Sequence, residues 1–201
     1  MQTPSSGQQE TAIAVRSWPP PQGEWTYEDW LKLPDDGYRY EVIDGVLSMS
    51  PPPLTRHQRV SMRIIDRLLE FLRTQPLGEI LAAPVGVRLP NQSVPLQPDI
   101  VFIRVERLGI INEAYIEGVP DLLMEILSPS NWLYDRREKM QVYQAAGVAE
   151  YWIIDPRAVT IEVYVLEQSI YVLAGQYGRG EVAPSRLLPG FAVSVDDIFA
   201  S

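Results

Sequence analysis

QPDIVFI (residues 97–103) and PDLLMEILSPS (residues 120–130) are two strand-like apolar runs that each carry an acid in an awkward place. Asp99 sits just behind Pro98 and ahead of Ile100, Val101, Phe102 and Ile103, and Glu125 lies among Leu122, Leu123, Met124, Ile126 and Leu127. A buried carboxylate without a partner costs several kcal/mol or takes up a proton, so an acid in such a run must be paired, hydrogen-bonded or bound to a cation. Side chains alternate across a strand, which groups Asp99 with Val101 and Ile103, and Glu125 with Leu123 and Leu127. If the two strands are neighbours, their acids converge on one edge of a sheet. Two carboxylates, water and a phosphate oxygen are the incomplete oxygen shell that Mg2+ prefers. Downstream, YDRREKMQVYQAAG (residues 134–147) places Asp135, Lys139 and Tyr143 at every fourth position, one stripe of a helix that Gly147 would close.

Composition narrows the chemistry. The chain has 201 residues, 46% of them hydrophobic, enough for one sizeable core. It has no cysteine and a single histidine, His57, which excludes disulfide frameworks, thiolate sites and multi-histidine metal centres, and fits a cytoplasmic protein. No apolar run approaches the roughly 18 residues of a membrane span, and the polar N-terminus lacks the pattern of a signal peptide. A net charge of -9 argues against coating nucleic acid through bulk electrostatics, although a nuclease with acidic ligands and a local basic stripe is compatible with it.

Residues 1–24, rich in Gln, Ser, Thr and Pro, read as a flexible tail, and residues 25–201 as one domain. Thr26 to Asp29 form a helix N-cap signal ahead of Trp30 and Leu31, with Pro34 as the stop. YRYEVIDGVLSMS (residues 38–50) is a hairpin turning at Asp44-Gly45, with Glu41 on its first arm. Val60, Ile64, Leu68 and Leu72 define a long amphipathic helix from Leu54 to about Thr74. His57 and Ser61 lie on or near its buried stripe, and Arg56, Arg59, Arg63 and Arg67 form a basic stripe beside it. EYWIIDP reads as a strand buried on both faces and TIEVYVLEQSIYVL as an edge hairpin. This order of elements predicts an α/β or α+β fold, a mixed β-sheet flanked by helices.

YEVIDG, His57 at the mouth of the long helix, QPDI, MEILSPS and DRREKMQVYQAAGVAEYWIIDP, in that order, resemble the Uma-type restriction endonuclease family from about Trp25 to Phe199. The resemblance implies the restriction-endonuclease-like fold of the PD-(D/E)XK nucleases. It implies a Mg2+- or Mn2+-dependent endonuclease acting on DNA, with Asp99 as the acid of the PD pair and Glu125 as the next acid. The simple motif places lysine two residues after that acid. Leu127 stands there, and Lys139 is the replacement to expect. The catalytic set is then Asp99, Glu125, Lys139 and Glu41, with the metal held by Asp99, Glu125 and the carbonyl of Ile126. His57, Gln97 and Tyr143 support the site, and Arg56, Arg59 and Arg63 are candidates for phosphate contact. Cutting both strands of a duplex calls for two such sites, which a homodimer supplies. The competing expectation is a non-catalytic nucleic-acid-binding or dimeric interaction protein that retains the fold.

Overall fold

The computed structural model describes residues 17–90, 92–129 and 132–200. A capping box between Thr26 and Asp29 starts α1 (Tyr27–Trp30). The hairpin of β1 (Arg39–Ile43) and β2 (Val46–Ser50) follows, with Asp44 and Gly45 at φ 50° and 74°, the left-handed pair that a two-residue turn between twisted strands requires. Next come the long helix α2 (Thr55–Thr74), then β3 (Gly78–Ala82), β4 (Val87–Arg88), β5 (Ile100–Arg104), a 3-10 turn (Val105–Ile110), β6 (Ile116–Glu117) and β7 (Leu122–Ile126). The segment after β7 contains α3 (Trp132–Tyr134), a π-helical turn (Asp135–Lys139) and α4 (Met140–Ala146), closed by Gly147 at φ 91°. β8 (Glu150–Asp155), β9 (Thr160–Glu167), β10 (Ile170–Tyr177), β11 (Val182–Pro184), β12 (Ala192–Ser194) and α5 (Val195–Ile198) complete the order.

Six strands form the central sheet in the order β10-β9-β8-β7-β5-β3. Only β7 and β8 among these neighbours run parallel, and the helical segment between them is the crossover that such a pair needs. The alternation seen in the sequence sorts their side chains by parity. Ile100, Phe102, Leu122, Met124, Ile126, Trp152 and Ile154 share one core with Val60, Ile64 and Leu68 of α2. Val101, Ile103, Leu123, Leu127, Tyr151 and Ile153 share the other with Val142 and Tyr143 of α4. Truncating Leu68 to alanine in such a core costs about 2–5 kcal/mol.

Three expectations change here. β5 and β7 are inner strands, so their acids meet at the strand ends in mid-sheet and not along a lateral edge. The stripe through Asp135, Lys139 and Tyr143 holds, with all three buried, but the helix carrying it is widened by the π turn. The Asp135 carbonyl there accepts the Tyr151 hydroxyl at 3.1 Å. Residues 17–24, which the composition assigns to the tail, pack on the hairpin; residues 1–16 lie outside the described part. The Gln22 side-chain amide pairs with Leu47 as both donor and acceptor, at 3.1 and 2.7 Å. Gly23 and Trp25 both donate to the Gly45 carbonyl. A Cβ on Gly45 would lie 2.4 Å from the Gly23 carbonyl oxygen, so this glycine serves the turn and the close approach together. A single amide side chain that satisfies a strand's outward backbone groups leaves no trace in hydrophobic composition.

Candidate active site

Ile100 stands opposite Met124 and Val101 opposite Leu123, and this antiparallel register carries Asp99, one residue before β5, to the level of Glu125. The odd-numbered positions of both strands face α4, so both acids point into the same layer. Their link is direct: the backbone N–H of Ile126 donates to Asp99 Oδ2 at 2.8 Å.

Asp99 is held on every side. Arg39 donates to its Oδ1 through both terminal nitrogens, at 3.3 and 3.2 Å, and His57 Nε2 lies 3.0 Å from Oδ2. With the Ile126 amide, four contacts use the acceptor capacity of the carboxylate. Burial pushes the Asp99 carboxyl up, but its hydrogen bond and charge interaction with His57, the Arg39 guanidinium and the Ile126 amide outweigh burial and hold it below the ordinary value.

Behind Asp99 lies a second, deeper group. Lys139 Nζ is fully buried and sits 3.0 Å from Glu125 Oε1, 3.1 Å from Glu41 Oε2 and 3.4 Å from Asp135 Oδ1. Tyr143 donates its hydroxyl to Glu125 Oε1 at 2.8 Å, and the Gln97 N–H donates to Glu41 Oε1 at 2.8 Å. The Asp135 contact is an ion pair without the alignment of a hydrogen bond, and Asp135 Oδ1 has no hydrogen-bond partner among the described residues. Burial pushes Glu125 well above the usual carboxylate range; the Lys139 ammonium opposes this, and the neighbouring Asp135, Asp99 and Glu41 reinforce it. Burial likewise raises Asp135, to about 6, again against Lys139 and with help from Asp99 and Glu41. For Lys139 burial acts downward, yet the attraction of Glu125, Glu41 and Asp135 prevails and holds its proton more firmly than in water.

A cleft of about 450 Å³ opens onto one side of this centre, lined among others by Arg39, His57, Gln58, Gln97, Asp99 and Ser128. Asp99 therefore faces the cleft, whereas Glu125, Glu41 and Lys139 are not among its walls. The lysine that position 127 lacks is supplied by the helix: Leu127 packs in the apolar layer, and Lys139 reaches Glu125. The basic stripe of α2 divides. Arg63 donates to the carbonyls of Ile198 and Ala200, and Arg67 pairs with Glu70 at 3.0 Å, while Arg56 and Arg59 are exposed.

The residues suit a hard divalent cation in donor type and charge. Four carboxylates, Glu41, Asp99, Glu125 and Asp135, gather around two obligate cations, Arg39 and Lys139. A divalent ion would balance that excess. No group of three His, Asp or Glu side chains among the described residues is disposed to hold a metal, but Mg2+ at phosphoryl-transfer sites takes one or two carboxylates and keeps several waters. Asp99 and Glu125, linked through the Ile126 amide, offer carboxylates of that number and kind.

Arg39 and Asp135 are the two site residues that sequence reasoning passed over. Arg39 stands two places before Glu41 on β1 and so shares its face, a signal that was present. The sequence places Asp135 on the stripe with Lys139 and Tyr143 but gives it no part in the site. No helix among the described residues is long and apolar enough to cross a membrane.

Among solved structures the chain resembles a crystal structure described as a "putative nuclease belonging to DUF820" from Anabaena variabilis ATCC 29413, with a TM-score of 0.70 and 21% identity over 87% of this chain and 97% of that one. At that identity the likeness concerns the fold. No curated protein matches the sequence. The family model for Uma2, described as "Putative restriction endonuclease", matches residues 27–196, a span that contains every residue of the acid centre, and the chain belongs to this family.

Proposed function

We propose that this protein is a metal-dependent endonuclease that hydrolyses phosphodiester bonds in DNA, working in the cytoplasm as a homodimer. The observation that carries the reading is the meeting of Asp99 and Glu125 on one face of adjacent strands, with Lys139 Nζ 3.0 Å from Glu125. When bound, Mg2+ or Mn2+ would polarise the phosphate and lower the pKa of a coordinated water. Asp99, Glu125 and the Ile126 carbonyl would hold the ion. His57 and the Ile126 amide orient Asp99, and Tyr143 orients Glu125. Because Lys139 keeps its proton firmly, it suits the part of a fixed positive charge, stabilising the phosphorane-like transition state, better than that of a general base. The cleft beside Asp99 is where a phosphate would enter, with exposed Arg56 and Arg59 on the first turns of α2 as further contacts.

A second reading is favoured by one specific observation. Lys139 is fully buried between three carboxylates, and Asp99 has its acceptors filled, so both groups have protein partners without a ligand. On that reading the protein binds nucleic acid or a second copy of itself and hydrolyses nothing. Calorimetric titration with Mg2+ and Mn2+, beside a plasmid-cleavage gel on wild type and Glu125→Gln, separates the two. The nuclease reading expects metal binding and cleavage in wild type, with cleavage about 100-fold or more slower in Glu125→Gln. Neither binding nor cleavage in wild type would favour the second.

A further inference from the structure

Asp99 is the acid that faces the cleft, and its acceptor positions are all taken. A cation can therefore reach it only by displacing a donor. The Ile126 amide belongs to the sheet and stays. His57 is a single contact from the first turn of α2. Arg39 is different in kind: it reaches Oδ1 through both terminal nitrogens, it carries a positive charge that repels an arriving cation, and its long stem starts from a strand outside the main sheet. Its side chain keeps 18% of its surface exposed, where Asp99 keeps 4%, so it has the cleft to move into. The Gln97 carbonyl, 3.0 Å from the same guanidinium, lines that cleft as a second anchor on which the group can pivot.

Resting on the metal-dependent reading above, we infer that Arg39 is an exchangeable clamp. It caps Asp99 while no cation is present, yields Asp99 to the cation, and then turns its guanidinium to a phosphate oxygen of the DNA strand in the cleft. The planar fork that spans Asp99 Oδ1 fits a phosphate equally well. The exchange couples the two ligands, because the phosphate rewards the guanidinium for leaving the carboxylate. Cation and DNA should then each tighten the binding of the other.

The test uses the full chain as wild type, Arg39→Gln and Arg39→Lys. Mn2+ affinity is measured by calorimetry and by electron paramagnetic resonance, and cleavage of plasmid DNA gives kcat and KM. Arg39→Gln removes the repelling charge and the cap, so it should bind Mn2+ roughly tenfold more tightly or better, while cleavage falls about 100-fold. Arg39→Lys keeps the charge without the fork and should bind Mn2+ close to wild type but still cleave poorly, which also covers the case in which the glutamine variant fails to fold. Weaker or equal Mn2+ affinity in Arg39→Gln would overturn the clamp and leave the metal reading standing. Tighter Mn2+ binding with undiminished cleavage would overturn the transfer to phosphate. No Mn2+ binding in any of the three would overturn the clamp together with the reading beneath it.

Discussion

Glu150 and Glu125 are both 1% exposed, on the adjacent parallel strands β8 and β7, yet they are buried in opposite ways. Glu150 opens β8, and its parity turns it toward the α2 side with Trp152. It accepts from the Trp152 indole, the Ser185 hydroxyl and the N–H groups of Arg186 and Leu187, all at 2.7–2.8 Å. These donors are neutral, and they staple the segment before β12 to the sheet. Glu125, near the far end of β7 and on the other face, has one cation, one tyrosine and three neighbouring carboxylates. One acid is matched to its donors and closes a structure; the other is crowded by its own kind and keeps an appetite for positive charge.

The contrast is broken most severely at Glu150. Glu150→Ala strips the acceptor from two backbone N–H groups, a hydroxyl and an indole, and should cost about 3–5 kcal/mol of stability that neither Mg2+ nor acid restores. Urea unfolding with and without Mg2+ measures it, and an unchanged midpoint would refute the structural role. Lys139→Met comes next. Leaving Glu41, Glu125 and Asp135 without their shared ammonium should cost on the order of 3 kcal/mol in metal-free buffer, but here Mg2+ or mild acid should recover much of the loss, since either replaces the missing compensation. If melting temperatures showed no rescue, the centre would be structural, as Glu150 is.

The smallest effect is in wild type itself. Asp135 in the folded protein titrates at about 6, above an unfolded carboxylate near ~4, and Glu125 shifts in the same direction. In that window the native state holds more protons than the unfolded chain, so stability falls as pH rises, the Asp135 part of it as pH passes through about 6. Lowering pH from 7 to about 5 should therefore stabilise the metal-free protein by about 1–3 kcal/mol. Below that, Asp99 works in reverse: its folded value lies under the unfolded one, so its contribution, present above the unfolded value, disappears as pH falls through the folded value. A steady loss of stability from pH 7 to 5 would show that the acids are not overloaded, and saturating Mg2+ should flatten the rise.

Much of this architecture was written in local pattern. Alternation in QPDIVFI and PDLLMEI grouped each acid with its same-face neighbours, the four-residue spacing of Asp135, Lys139 and Tyr143 placed all three on one stripe, and Asp44-Gly45 turned the hairpin. Periodicity determines such things because each side chain's direction depends on its own few residues of backbone. Lys139 as the cation near Glu125 came instead from the family resemblance, whose motif lysine is replaced by Leu127 in this chain.

What the tertiary structure decided is how the acids are compensated. Arg39 lies 60 residues before Asp99, and Glu41 lies 56 before Gln97, and these pairs exist because the β1–β2 hairpin, which is not part of the six-stranded sheet, docks over the ends of β5 and β7. No local period encodes where a separate hairpin lands. The same holds for Gln22 on Leu47, which draws residues 17–24 onto the hairpin through two backbone groups. Composition and spacing could announce a buried acid in need of a partner; the choice among lysine, arginine, tyrosine and a neighbour's amide depended on packing across the whole chain, where a hydrogen bond is won or lost over less than an ångström.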